Sequence, residues 1–133
     1  MSFSSEIFWL VLSCMLTGLL WVPYIINRLI EMRPLPALWN PMPDIRPRAQ
    51  WAERLMRAHE NAVENLVVFA PLVLVIELLQ VGTESTAMAC MLYFFARVAH
   101  FIIFTFAVPL LRVVVFLIGF VAQMTLAIHL LTG

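Results

Sequence analysis

The sequence contains no lysine, and only 12% of its 133 residues are charged. Eight Arg balance eight acidic residues, for a formal net charge of zero. That balance excludes the basic surface a nucleic-acid binder needs. There are only two cysteines, Cys14 and Cys90, both inside apolar runs. There they read as small apolar side chains, and no disulfide is expected. The three histidines are isolated, with none paired at metal-ligand spacing, so no zinc or iron site is expected. Internal repeats and low-complexity tracts are absent. The opening "MSFSSEIFWL" has no basic segment, which favours a retained first helix over a cleaved signal peptide.

Hydrophobic residues make up 63% of the chain, and the mean hydropathy is +0.96. A small soluble core cannot hide so much apolar surface, so the composition is that of a membrane protein. A bilayer core of roughly 30 Å takes about 20 apolar residues per helix. Four stretches meet this requirement, approximately Ile7–Asn27, Asn61–Val81, Thr86–Phe106 and Leu110–Leu131. The expected fold is all-α, an integral membrane four-helix bundle forming a single domain over residues 1–133. Between the first two spans lies a polar loop, Arg28 to Glu60. Five prolines (Pro34, Pro36, Pro41, Pro43, Pro47) argue for an extended, stiff connection there. The second helix is expected to start before the membrane, within "RAQWAERLMRAHEN", which lacks Pro and Gly.

Six of the eight Arg (Arg28, Arg33, Arg46, Arg48, Arg54, Arg57) lie in or beside that loop. The positive-inside rule makes the loop cytoplasmic and puts both termini on the other side. Arg97 and Arg112 fall toward the same face. Trp9, Trp21, Trp39 and Trp51 fit interfacial anchoring.

The stretch "RAHENAVEN" (57–65) opens the second span with an unusual polar cluster. Arg57, Asn61 and Glu64 follow i, i+4, i+7 and so share one helix face. Arg97, His100 and Phe104 form a stripe on the third span, and Arg112, Phe116, Gly119 and Gln123 one on the fourth. Ionisable groups at membrane depth cost about 2.5–3.5 kcal/mol each, so these side chains should face protein or water. Periodicity leaves two readings open: a structural lock, such as an Arg97–Glu64 ion pair with Asn61 as hydrogen-bond partner, or a binding site. His59 points off the cluster's face and His129 lies near the far end, and both read as interfacial. Glu77 is expected to reach the interface or a neighbouring Gln or Thr. Pro71 is a kink candidate.

These motifs resemble those of the MAPEG family, the small membrane proteins of eicosanoid and glutathione metabolism. Arg57, Ala58, His59, Asn61 and Glu64 match the family's second-helix pattern, and "ARVAH" (96–100) is similar to its third-helix motif in the prostaglandin-synthase branch. The resemblance covers essentially the whole chain. It implies a homotrimer in the bacterial inner membrane, or the endoplasmic reticulum of a eukaryote, with glutathione held between subunits near the cytoplasmic face. By that resemblance Arg28, Arg57, Asn61, Glu64, Arg97 and His100 are glutathione-binding residues, with Arg for carboxylates and Glu64 for the ammonium. Arg112 is the catalytic residue, a cation that stabilises the thiolate. The second substrate would be a hydrophobic electrophile or lipid hydroperoxide entering from the membrane lipids past Phe and Met side chains. The sequence departs from that branch at Phe104 and Phe116, where it has Tyr. A non-catalytic protein of the same fold, binding lipid or a partner protein, is the alternative.

Overall fold

A computed structural model describes residues 3–32 and 49–133. The regular structure among the described residues is all helical, with elements α1 (Ser5–Leu19), α2 (Trp21–Met32), α3 (Gln50–Leu79), α4 (Glu84–Thr105) and α5 (Leu111–Thr132). Four helical spans, Ser5–Glu31, Gln50–Leu79, Glu84–Thr105 and Leu111–Thr132, are long and apolar enough to cross a membrane. Arg33, Arg46, Arg48, Trp39 and the five loop prolines lie outside the described residues.

The first apolar stretch is two helices rather than one, with a turn at Leu20 between them. Pro23 accounts for the break: it has no N–H to give the Leu19 carbonyl, and its ring crowds that same oxygen. Pro71 has no such effect. It sits inside α3, which runs uninterrupted from Gln50 to Leu79. At 1.5 Å per residue this 30-residue helix is about 45 Å long. It begins before the apolar run, as the absence of Pro and Gly in its first turns predicts.

Local chemistry sets the ends. Ser4 Oγ accepts from the Ile7 N–H to start α1. Thr83 and Thr86 form a reciprocal capping box at the start of α4. Gln80 closes α3 in a left-handed conformation, φ 54°, with Val81 N–H reaching back to the Ile76 carbonyl. Ala107 (φ 56°) ends α4 in the same way, and Pro109 prevents its continuation.

Two apolar clusters fill the bundle. The larger, around Phe69, Val73, Ile76, Tyr93 and Leu126, occupies the end away from the loop. Phe69 stacks on Tyr93 at a centroid distance of 3.7 Å. The smaller, Leu20, Leu55 and Ala62 with Tyr24 and Phe101 against it, lies at the loop end. Between Ala62 and Phe69, α3 carries Asn65, and polar side chains replace apolar ones at this level.

The α3–α4 turn is tied by hydrogen bonds that sequence reading did not anticipate. Buried Glu6 lies 2.9 Å from the Thr86 hydroxyl, and Ser4 Oγ donates to Glu77 at 2.7 Å. Glu77 does reach a neighbour, but the neighbour is a serine. His129, expected at the headgroups, donates from Nε2 to the Val81 carbonyl at 2.7 Å.

Candidate functional site

At the loop end the N-terminus of α3, the C-terminus of α4 and the start of α5 come together. Arg54 Nε donates to the Thr105 carbonyl at 2.8 Å, fastening α3 to the last turn of α4. The described arginines Arg28, Arg54, Arg57, Arg97 and Arg112 therefore gather at one end of the bundle, as their placement in the sequence implied.

Arg97 is the centre of the site. Its side chain projects from α4 into the bundle and only 5% of the residue is exposed. Arg97 Nη2 donates to Asn61 Oδ1 at 2.7 Å and, more weakly, to His100 Nδ1 at 3.4 Å. Arginine can only donate, so His100 Nδ1 must be the acceptor in this contact. Arg97 Nε is buried without a hydrogen-bond partner among the described residues. No carboxylate pairs with this guanidinium among the described residues. Glu64, its ion-pair partner in the structural-lock reading, is exposed instead. Three residues past Asn61, it falls about 60° short of a full turn, and that offset gives Arg97 the amide rather than the acid.

His100 is buried and its ring stands 5.5 Å from Phe104 and 6.3 Å from Phe116. Arg112, exposed near the start of α5, lies with its guanidinium 5.3 Å from the Phe104 centroid, over the ring face. A continuous patch thus runs from Asn61 through Arg97, His100 and Phe104 to Arg112. Both positions that lack a tyrosine hydroxyl belong to it.

The remaining predicted residues are not in this contact set. Arg57 is exposed and donates to Glu53 at 3.3 Å along its own helix. Arg28 is half-buried, with a buried Nε that has no hydrogen-bond partner among the described residues. His59 does lie off the cluster's face: it shares a 2.7 Å hydrogen bond through Nδ1 with the Tyr24 hydroxyl and so connects α2 to α3.

Two further residues, to which the sequence assigned no binding role, join the site. Asn65 donates to Asn61 at both the carbonyl (2.8 Å) and Oδ1 (3.3 Å). Gln123, on α5 and 3% exposed, donates in turn to the Asn65 carbonyl at 3.1 Å and to its Oδ1 at 3.4 Å. The i, i+4 spacing of Asn61 and Asn65 was the available signal for the first. Gln123 was visible only as the end of a polar stripe.

Compared with known proteins, residues 7–132 match the model of the MAPEG family. The chain belongs to the MAPEG family. No curated protein and no solved structure is matched. The match takes in all four spans, so this MAPEG chain carries its buried arginine, its exposed helix-five arginine and the asparagine between helices within the family's own boundaries. MAPEG proteins include glutathione transferases and peroxidases as well as non-catalytic members. Membership supports a multi-pass membrane protein associated with lipid.

Proposed function

We propose that the chain is a membrane glutathione-dependent transferase or peroxidase acting on hydrophobic electrophiles or lipid hydroperoxides. The observation that carries this reading is the Arg97 guanidinium, buried and hydrogen-bonded only to neutral groups among the described residues. A buried charge without a counter-charge is costly. An incoming carboxylate relieves that cost, and glutathione brings two.

In this reading Asn61, Arg97 and His100 receive the tripeptide, with Arg28, Arg57 and Glu64 around it. Glu64 takes the ammonium and the arginines the carboxylates. Arg112 faces the sulfur. A free thiol near pKa 8.5 is only a few per cent thiolate at neutral pH, and an adjacent guanidinium favours the charged form. The thiolate then adds to an electrophilic carbon or displaces a leaving group from it. With a hydroperoxide it attacks the terminal oxygen, breaking the O–O bond to give a glutathione sulfenic acid and, after protonation, the alcohol. A second glutathione converts the sulfenic acid to disulfide and water. The proposed assembly is a homotrimer with sites between subunits and the loop on the cytoplasmic side.

Phe104 and Phe116 favour a second reading, a non-catalytic member that binds lipid or a partner protein. Neither ring offers a hydroxyl to a thiolate, and Phe104 already holds the Arg112 cation against its face. Glutathione titration of the detergent-purified protein, followed through the ultraviolet thiolate band and repeated with Arg112→Ala, separates the two. Binding with an Arg112-dependent thiolate signal supports the enzyme. Binding with no thiolate, or no binding, supports the second reading.

A further inference from the structure

The hydrogen bonds behind Arg97 run in one direction. Arg97 cannot accept, so the Asn61 atom facing it must be the amide oxygen. Asn65 Nδ2 faces that same oxygen at 3.3 Å, which makes it a donor. The Asn65 amide oxygen is then turned away from Asn61, toward α5, and Gln123 meets it with Nε2. Three side-chain amides on two helices are thereby linked, Gln123 donating to the Asn65 oxygen and Asn65 to the Asn61 oxygen, and the series ends on a cation. Asn65 and Gln123 also donate to the backbone carbonyls of Asn61 and Asn65, which further restricts their rotamers.

We propose that Asn65 and Gln123 are positioning residues that hold the Asn61 amide oxygen on Arg97, and so set the affinity of this site for a ligand carboxylate without neutralising its charge. The inference rests on the glutathione reading. A carboxylate at position 61 would hold Arg97 as firmly but would cancel the charge that attracts an anion. An unsupported amide would rotate. The ladder keeps the hold neutral and the geometry fixed, which is what a preorganised carboxylate subsite requires. Its far end is buried between α3 and α5, so none of its work at Arg97 is done by direct contact from Gln123.

The test compares the affinities of glutathione and of two blocked forms, the glycine ethyl ester and the γ-glutamyl α-amide, for wild type, Gln123→Met, Asn65→Leu and the double variant. The ratio of two affinities does not depend on the fraction of protein that is folded, so a general loss of stability leaves it unmoved. Wild type should discriminate against one blocked form. Each single variant should narrow that ratio by about threefold to tenfold, the worth of one or two net hydrogen bonds. Because the two residues act in series through Asn61, the double variant should narrow it no further than Asn65→Leu alone. Unchanged ratios, or effects that multiply in the double variant, would overturn the ladder. Wild-type binding with no preference between free and blocked carboxylates would overturn the ladder and leave the glutathione reading standing, whereas no wild-type binding would overturn both.

Discussion

Arg97 and Asn61, 36 residues apart in sequence, meet through a 2.7 Å hydrogen bond from Nη2 to Oδ1, the shorter of the guanidinium's two hydrogen bonds among the described residues. The pairing of a buried cation with a neutral amide leaves the charge unspent, and much of the expected behaviour of this protein follows from it.

Asn61→Asp should separate stability from function. The carboxylate would pair with Arg97 inside the bundle and hold or raise the melting temperature. Glutathione affinity should fall by about tenfold, equivalent to roughly 1.4 kcal/mol, because the ligand would have to compete with an internal anion. Calorimetric titration beside a thermal melt in detergent reads both; unchanged affinity would remove Arg97 from the ligand site.

Arg112→Ala should act on the sulfur rather than on binding. The thiolate absorbance of bound glutathione should largely disappear and turnover drop by about 100-fold, on the scale of losing one electrostatic stabiliser. The dissociation constant should move by less than about threefold. A large loss of affinity with the thiolate band intact would place Arg112 on a carboxylate instead.

Glu64→Ala makes the opposite comparison. Glu64 is exposed and pairs with nothing among the described residues, so its removal should leave the melting temperature nearly unchanged. Loss of a charged hydrogen bond to the ligand ammonium should weaken glutathione by about tenfold or more. Equal, small effects from Glu64→Ala and Arg112→Ala would argue against both roles.

Thr86→Val tests the opposite end of the bundle. It removes the hydroxyl that lies 2.9 Å from the buried Glu6 carboxylate and one half of the α4 capping box. A destabilisation of about 1–3 kcal/mol is expected, with glutathione affinity unaltered. The thermal melt in detergent checks the first part, and titration the second.

The spans were legible because the membrane imposes a length of apolar chain that the sequence displays openly. The break at Leu20 was not, since Pro23 and Pro71 look alike in composition and differ only in what surrounds them. The stripes on α4 and α5 followed from helical spacing, and the rings of His100, Phe104 and Phe116 do meet. Which α3 residue meets Arg97 depended on the rotation of one helix against another. No periodicity records that rotation, and Asn61 rather than Glu64 faces the guanidinium.

The length of α3 carries one last consequence. From Asn61 to Leu79 the helix measures about 28 Å, close to a hydrocarbon thickness, and the segment from Gln50 to Glu60 adds roughly 16 Å beyond it. With its apolar part, Asn61 to Leu79, set across a bilayer, α3 places Asn61 at the boundary between two solvents. In the proposed reaction the peptide thiol arriving there is counted in moles per litre of water, and the apolar acceptor in moles per mole of lipid. Diluting the bilayer with inert lipid at constant bulk concentration should slow the reaction as surely as withholding the thiol.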